Sequence, residues 1–145
     1  MLFKWLIVFH VLGAAIWIGG HLILCIRYLP ESLKNKDPDI IRAFEKKYEI
    51  IGLPSLLVQI VTGIWIALTY YNVHLFGFAN PVEQAVSIKL ILLLITLLLA
   101  VHVRFFVFPK LTAENLWGLA LHIIAVTLIA VLMLYFGVTV RFGGV

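Results

Sequence analysis

Residues 86–108 read Val86-Ser-Ile-Lys-Leu-Ile-Leu-Leu-Leu-Ile-Thr-Leu-Leu-Leu-Ala-Val-His-Val-Arg-Phe-Phe-Val-Phe108. A helix needs about 20 mostly apolar residues to cross the hydrocarbon of a bilayer, and this run supplies them. In lipid every backbone N–H and C=O must be satisfied internally, which leaves helices or a closed barrel. Barrel strands take only about 9–11 residues, so the run is too long to be one. Three further stretches behave in the same way, giving expected spans at Leu2 to Tyr28, Ile50 to Tyr71, Val86 to Phe108 and Leu116 to Val138. The composition agrees: of 145 residues, 63% are hydrophobic and 12% charged, against roughly 25% charged in an ordinary soluble domain. The expected fold is therefore an all-α integral membrane protein, a single domain over 1–145 built as a four-helix up-down bundle embedded in the lipid bilayer.

Charge placement gives an expected orientation, because Lys and Arg are retained on the cytoplasmic side. The first connection carries Arg27, Lys34, Lys36, Arg42, Lys46 and Lys47, and the third Arg104 and Lys110; the opposite face has Lys4, Lys89 and Arg141. Eight cations against three place both termini of this multi-pass protein outside the cytoplasm; a bacterial-type inner (plasma) membrane is the expected location. The net charge of +4 is then a topology signal, and nothing supports a nucleic-acid partner. The first span is expected to be mature structure and not a cleaved signal: its apolar core is long, no small-residue cleavage site follows, and it contains His10, Trp17 and His21. Cys25 stands alone and forms no internal disulfide; it reads as a small buried hydrophobe.

The connections carry helix punctuation. Asp37 followed by Pro38 reads as an N-cap with proline at the first helical position. Ile40, Ile41, Phe44, Tyr48 and Ile51 then recur at helical spacing with Asp39, Arg42, Glu45, Lys46 and Glu49 between them, so the second helix is expected to begin before the membrane. Gly52 and Pro54 mark a kink at its entry. Asn80, Pro81 and Glu83 resemble a capping box opening the third helix.

Polar residues within the spans are costly in lipid and usually face the bundle. His10 and His21 are eleven positions apart, an angular offset of about 20° and a rise of about 16 Å, so they share one face of the first helix. Gly13, Ala14, Trp17 and Gly20 share or border it; Trp17 can serve as a cofactor wall or as packing. His102 near the end of the third span and His122 near the start of the fourth fall at the depth of His21, whereas His10 lies in the opposite half. His74 is expected in a surface loop. Imidazoles on different helices at one depth suit axial ligation of haem b. Helices one and three are diagonal in such a bundle, making His21 with His102 the first-choice pair. His122 can replace either or orient a propionate, and His10 can serve a second haem. The same imidazoles can build a copper or zinc site, although copper(I) prefers the soft ligands of which this chain has only Cys25, Met1 and Met133. Interhelical hydrogen bonding alone is the plain alternative. Lys89 can snorkel or meet a propionate, and Gln59, Thr62, Gly63 and Thr69 form a polar stripe compatible with helix packing or a quinone site. No Ser-His-Asp set, phosphate loop or Cys-rich motif is present.

The segment His10-Val-Leu-Gly-Ala-Ala-Ile-Trp17-Ile-Gly-Gly20, with Tyr48-Glu-Ile-Ile-Gly-Leu-Pro54, Thr62-Gly63-Ile-Trp65 and Ser87-Ile-Lys89-Leu, resembles the membrane group that joins CopD-type copper-resistance proteins with HemJ-type protoporphyrinogen oxidases. The resemblance covers roughly residues 5 to 110. The HemJ type implies an oxidoreductase with haem b that oxidises protoporphyrinogen IX, a porphyrin substrate, and passes electrons to quinone or another redox partner. On that template His10 is the helix-one histidine and Lys89 the family lysine; His102 lies near the family's helix-three histidine but not on it, and His21 and His122 are additional. The CopD type implies copper transport. Whether the chain is itself a catalyst, and whether it pairs as a homodimer, the residues leave open.

Overall fold

The computed structural model describes residues 1–144. Four helical rods account for nearly all of them: α1 (Leu2–Asn35), α2 (Asp39–Thr69), α3 (Pro81–Lys110) and α4 (Leu116–Arg141), each long and apolar enough to cross a membrane. The termini lie at one end of the bundle together with the α2–α3 loop, and the other two connections lie at the opposite end, called here the connection end.

Two of the rods carry the same device near the connection end. In α1 the α-helical hydrogen bonding gives way to a π turn at Leu24–Tyr28, where the Leu29 N–H reaches back to the Leu24 carbonyl. In α3 a π turn at Val103–Val107 ends with the Phe108 N–H donating to the Val103 carbonyl. Pro30 follows the first turn and Pro109 the second, each two residues beyond it. Proline has no N–H to donate to the residue four before it, so a widened turn just upstream accommodates the lost bond without ending the rod. α1 stops at Lys36, whose left-handed backbone (φ 53, ψ 36) closes the helix. A side chain there costs about 1–2 kcal/mol. The turn is held by Asp37 N–H donating to the Ser32 carbonyl (3.0 Å) and Ser32 Oγ–H donating to the Asp37 carbonyl (2.5 Å).

The caps follow the sequence with one revision. Asp37 Oδ1 accepts from the Asp39 N–H at 2.9 Å, as an N-cap should. Asn80 accepts from the Glu83 N–H at 2.9 Å. Glu83, however, does not close the expected box. Its carboxylate accepts instead from the His74 N–H (3.1 Å) and the Ala79 N–H (3.0 Å), so it ties down the loop entering α3. Pro54 sits inside α2 without ending it.

α1 packs along α2 and against α4, and α3 packs against α4. α2 and α3 do not pack in this way, so the ring of helices is open along one side. Polar links cross that seam near the connection end: Arg42 donates to the Leu111 carbonyl at 2.9 Å, and Arg104 pairs with Glu49 at 3.4 Å. The core there is formed by Leu24, Leu29, Ile41, Leu116, Leu119 and Ile123; a second, central cluster joins Trp17, Ile18, Leu56 and Ala130. Most other large apolar side chains face outward, as they must where the surrounding solvent is lipid.

Candidate functional site

The open side leads into a cleft of about 330 Å³ in the connection half of the bundle, lined by all four helices. Its walls are mostly Leu, Val and Phe. Its polar lining consists of His21 from α1, Glu45, Tyr48 and Glu49 from α2, Thr96 and Arg104 from α3, and His122 from α4.

His21 is held by its neighbours in one state. Its Nδ1–H donates to the Trp17 carbonyl one turn back, at 2.9 Å. A carbonyl oxygen can only accept, so in the neutral ring the proton is on Nδ1 and Nε2 presents a lone pair. The indole of Trp17 lies against the ring (centroids 4.4 Å), and Tyr48 meets it edge-on at 5.9 Å. Tyr48 is in turn wedged between two glycines. A Cβ on Gly20 would overlap its ring, and one on Gly52 would come within 2.7 Å of it. The hydroxyl of Tyr48 donates to the carbonyls of Ile16 and Trp17, both at 3.1 Å. The small residues flanking His21 therefore do not leave an empty slot; they admit the Tyr48 ring from α2. Trp17 is buried and serves both packing and the cleft wall.

His122 donates from Nδ1 to the Gly118 carbonyl at 2.8 Å. Its Nε2 must then accept, and it does so from His102 Nδ1–H at 3.0 Å, the two rings lying nearly parallel. His102 is not part of the cleft. Ala100, Val101, Val103 and Arg104 take the cleft-facing positions on α3, and His102 is turned round the helix toward α4, stacked on Phe106. The histidines that share the cleft are thus His21 and His122, from adjacent helices, in place of the expected diagonal pair His21 and His102.

The other two predicted residues stand elsewhere. His10 lies in the termini half, where its Nδ1 is 2.9 Å from the Gln59 carbonyl and 3.1 Å from Thr62 Oγ1. Lys89 is in the same half, its Nζ against Gly137 of α4. Neither reaches the cleft, so Lys89 is not placed to meet a propionate there. His74 is exposed in the α2–α3 loop, as expected. Among the described residues, no three His, Cys, Asp or Glu side chains converge to hold a bare metal ion. Glu45, Tyr48 and Glu49 are cleft residues that helical periodicity had assigned only to the amphipathic start of α2.

Neither family models, curated proteins nor solved structures match this chain.

The donor set fits a haem better than a naked ion. Haem brings four of its own iron ligands and asks the protein for one or two axial groups, an apolar seat and cations near its acid groups. His21 offers a lone pair already oriented by a carbonyl on its other nitrogen, the arrangement that fixes a ligating imidazole. The cleft walls are mostly apolar, and Arg104, paired with Glu49, stands among the polar lining beside Glu45.

Proposed function

We propose that this chain is a haem b-binding membrane redox protein whose cofactor seat is the four-helix cleft. The observation that carries the reading is His21: its Nδ1–H is committed to the Trp17 carbonyl and its free Nε2 lone pair lies in an apolar cleft that it shares with a second histidine. His21 is the iron ligand from α1. His122 of α4 would be the second ligand, and its Nε2 would then have to give up the hydrogen bond it accepts from His102. Trp17 and Tyr48 hold the His21 ring in place, the apolar residues of α3 exclude water, and Arg104 would orient an anionic side group in exchange for its pairing with Glu49. Haem b supplies reversible one-electron chemistry when bound. The charge distribution supports an orientation with both termini outside the cytoplasm. HemJ-like oxidation of protoporphyrinogen IX is one outlet for such a centre, suggested by the residues quoted for that resemblance.

The test is a reduced-minus-oxidised visible spectrum of the purified protein in detergent, with iron and copper determined on the same sample. Sharp low-spin haem bands with iron, lost in His21→Ala, are expected. Copper without haem would move the reading to copper binding or transport, and a protein with neither metal would end both.

A further inference from the structure

A second cavity, of about 300 Å³, lies at the connection end and shares no residue with the cleft. One wall is the end of α1, with Leu33 and Lys36; the other is the α3–α4 connection and the first turn of α4, with Ala113, Glu114, Leu116 and Trp117. Its charged lining is thus one ammonium and one carboxylate. The ion pairs among the described residues are Arg27–Glu31, Arg42–Asp39 and Arg104–Glu49, so Lys36 and Glu114 share the pocket without bridging it. Both walls are fixed by their backbones. The turn at Lys36 is closed by the Asp37 N–H donating to the Ser32 carbonyl at 3.0 Å. Beside Glu114, Asn115 Oδ1 accepts from the Thr112 N–H at 2.8 Å while its Nδ2–H donates to the Lys110 carbonyl at 2.6 Å. Lys36 occupies the left-handed position at which helices usually place glycine, so its side chain is retained against a conformational cost. The pocket also continues onto lipid-facing surface: Trp117, Leu121, Ile124 and Leu128, all exposed, fall at helical spacing on one face of α4. Trp117 stands at the start of that span, the level at which indole rings settle in membranes.

The pocket therefore offers two opposite, unbridged charges and an apolar strip that leaves it along α4. A purely anionic head group would satisfy Lys36 and be repelled by Glu114; a cationic one would reverse the fault. A soluble zwitterion would answer both charges and make no use of the strip. The complement is an amphiphile whose head group carries a phosphate and an ammonium and whose tail is an acyl chain. We propose that Lys36, Glu114 and Trp117 form a binding site for a zwitterionic phospholipid with a primary ammonium. Lys36 donates to the phosphate and Glu114 accepts from the ammonium, both charge-assisted bonds. A primary ammonium has three N–H groups for the carboxylate, whereas a quaternary one has none. Trp117 flanks the head group, and the acyl chain runs over Leu121, Ile124 and Leu128. The bound lipid joins the end of α1 to the start of α4, and the site is independent of the haem reading.

The experiment is native mass spectrometry of the full chain released from nanodiscs of equal parts dioleoyl phosphatidylethanolamine and dioleoyl phosphatidylglycerol, which identifies retained lipid by its mass. Retention of one phosphatidylethanolamine per chain is expected, favoured about tenfold or more over phosphatidylglycerol. Glu114→Gln should abolish that preference, and Lys36→Gly should lose both lipids. Glycine suits the left-handed backbone at position 36, so Lys36→Gly should melt no lower than the parent in lipid-free detergent, which separates loss of lipid from misfolding. His21→Ala should retain lipid as the parent does. No retained lipid, equal retention of the two lipids by the parent, an unchanged preference in Glu114→Gln or unchanged retention in Lys36→Gly would each overturn the assignment. Displacement of the lipid by an equal concentration of deacylated glycerophosphoethanolamine would overturn it as well, and would move the site to a soluble ligand.

Discussion

Tyr48 and His21, on different helices, share one acceptor: the Trp17 carbonyl accepts hydrogen bonds from Tyr48 Oη–H at 3.1 Å and from His21 Nδ1–H at 2.9 Å. A carbonyl oxygen has two lone pairs and can serve both. The consequence is that the orientation of the α1 imidazole is set partly from α2. Tyr48→Phe removes one hydroxyl donor and nothing else. It should cost about 1 kcal/mol of stability, read as a lower melting temperature in detergent, and should lower haem retention on dilution. Unchanged retention would separate Tyr48 from the positioning of His21.

The histidines should respond in a fixed order. His21→Ala is expected to abolish haem binding while leaving helix content unchanged. His122→Ala should alter the spectrum, because the second iron ligand is lost. His102→Ala should retain haem, since that ring lies outside the cleft. The haem-to-protein ratio of the three variants checks the order, and loss of haem from His102→Ala alone would invert the ligand assignment.

Neighbouring glycines should behave oppositely. Gly20→Ala drives a methyl group into the Tyr48 ring, an overpacking that costs about 1–3 kcal/mol. At Gly19 an added methyl meets nothing within 4 Å. Gly19→Ala should therefore be neutral or stabilising by about 0.5–1 kcal/mol through helix propensity. Paired thermal melts of the two variants give the sign of each.

Glu83 is buried and its carboxylate holds the His74 and Ala79 N–H groups. Glu83→Ala leaves both donors without their partner and loosens the loop entering α3. The expected result is faster proteolysis between residues 74 and 79, with the spectrum of the cleft unchanged. Glu83→Gln keeps one carboxamide oxygen as acceptor and should fall between the two.

The bundle was legible in the sequence because lipid imposes a single length scale and four runs meet it. The caps at Asp37 and Asn80 were legible for a local reason: their bonds lie within three residues. The helix ends were less so. Pro30 looks like a stop, yet a widened turn upstream lets α1 continue to Asn35, and nothing in the apolar run announces that; α3 does end at Lys110, one residue beyond Pro109. The depth of each histidine followed from counting residues, which is why His21 and His122 were both found near the connection end. Their pairing did not follow, because rotation about a helix axis is settled by contacts. A strip of Leu, Ile and Val that is apolar all round carries no phase, so the turn of His102 away from the cleft has no local signature. Glu45 and Glu49 were visible as charges on an amphipathic segment. Only the approach of α3, and with it Arg104, makes them lining.

The seam between α2 and α3 gives the cleft an unusual boundary. Where a soluble protein would close its pocket with a fourth packed wall, this one leaves the closure to acyl chains. The effective dielectric and free volume around His21 then belong partly to the surroundings, so a short-chain detergent and a native-like bilayer build two different pockets on the same polypeptide. On the proposed haem reading, a midpoint potential measured in one would not transfer to the other, and lipid chain length would become a variable of the centre, as a substituted side chain would be.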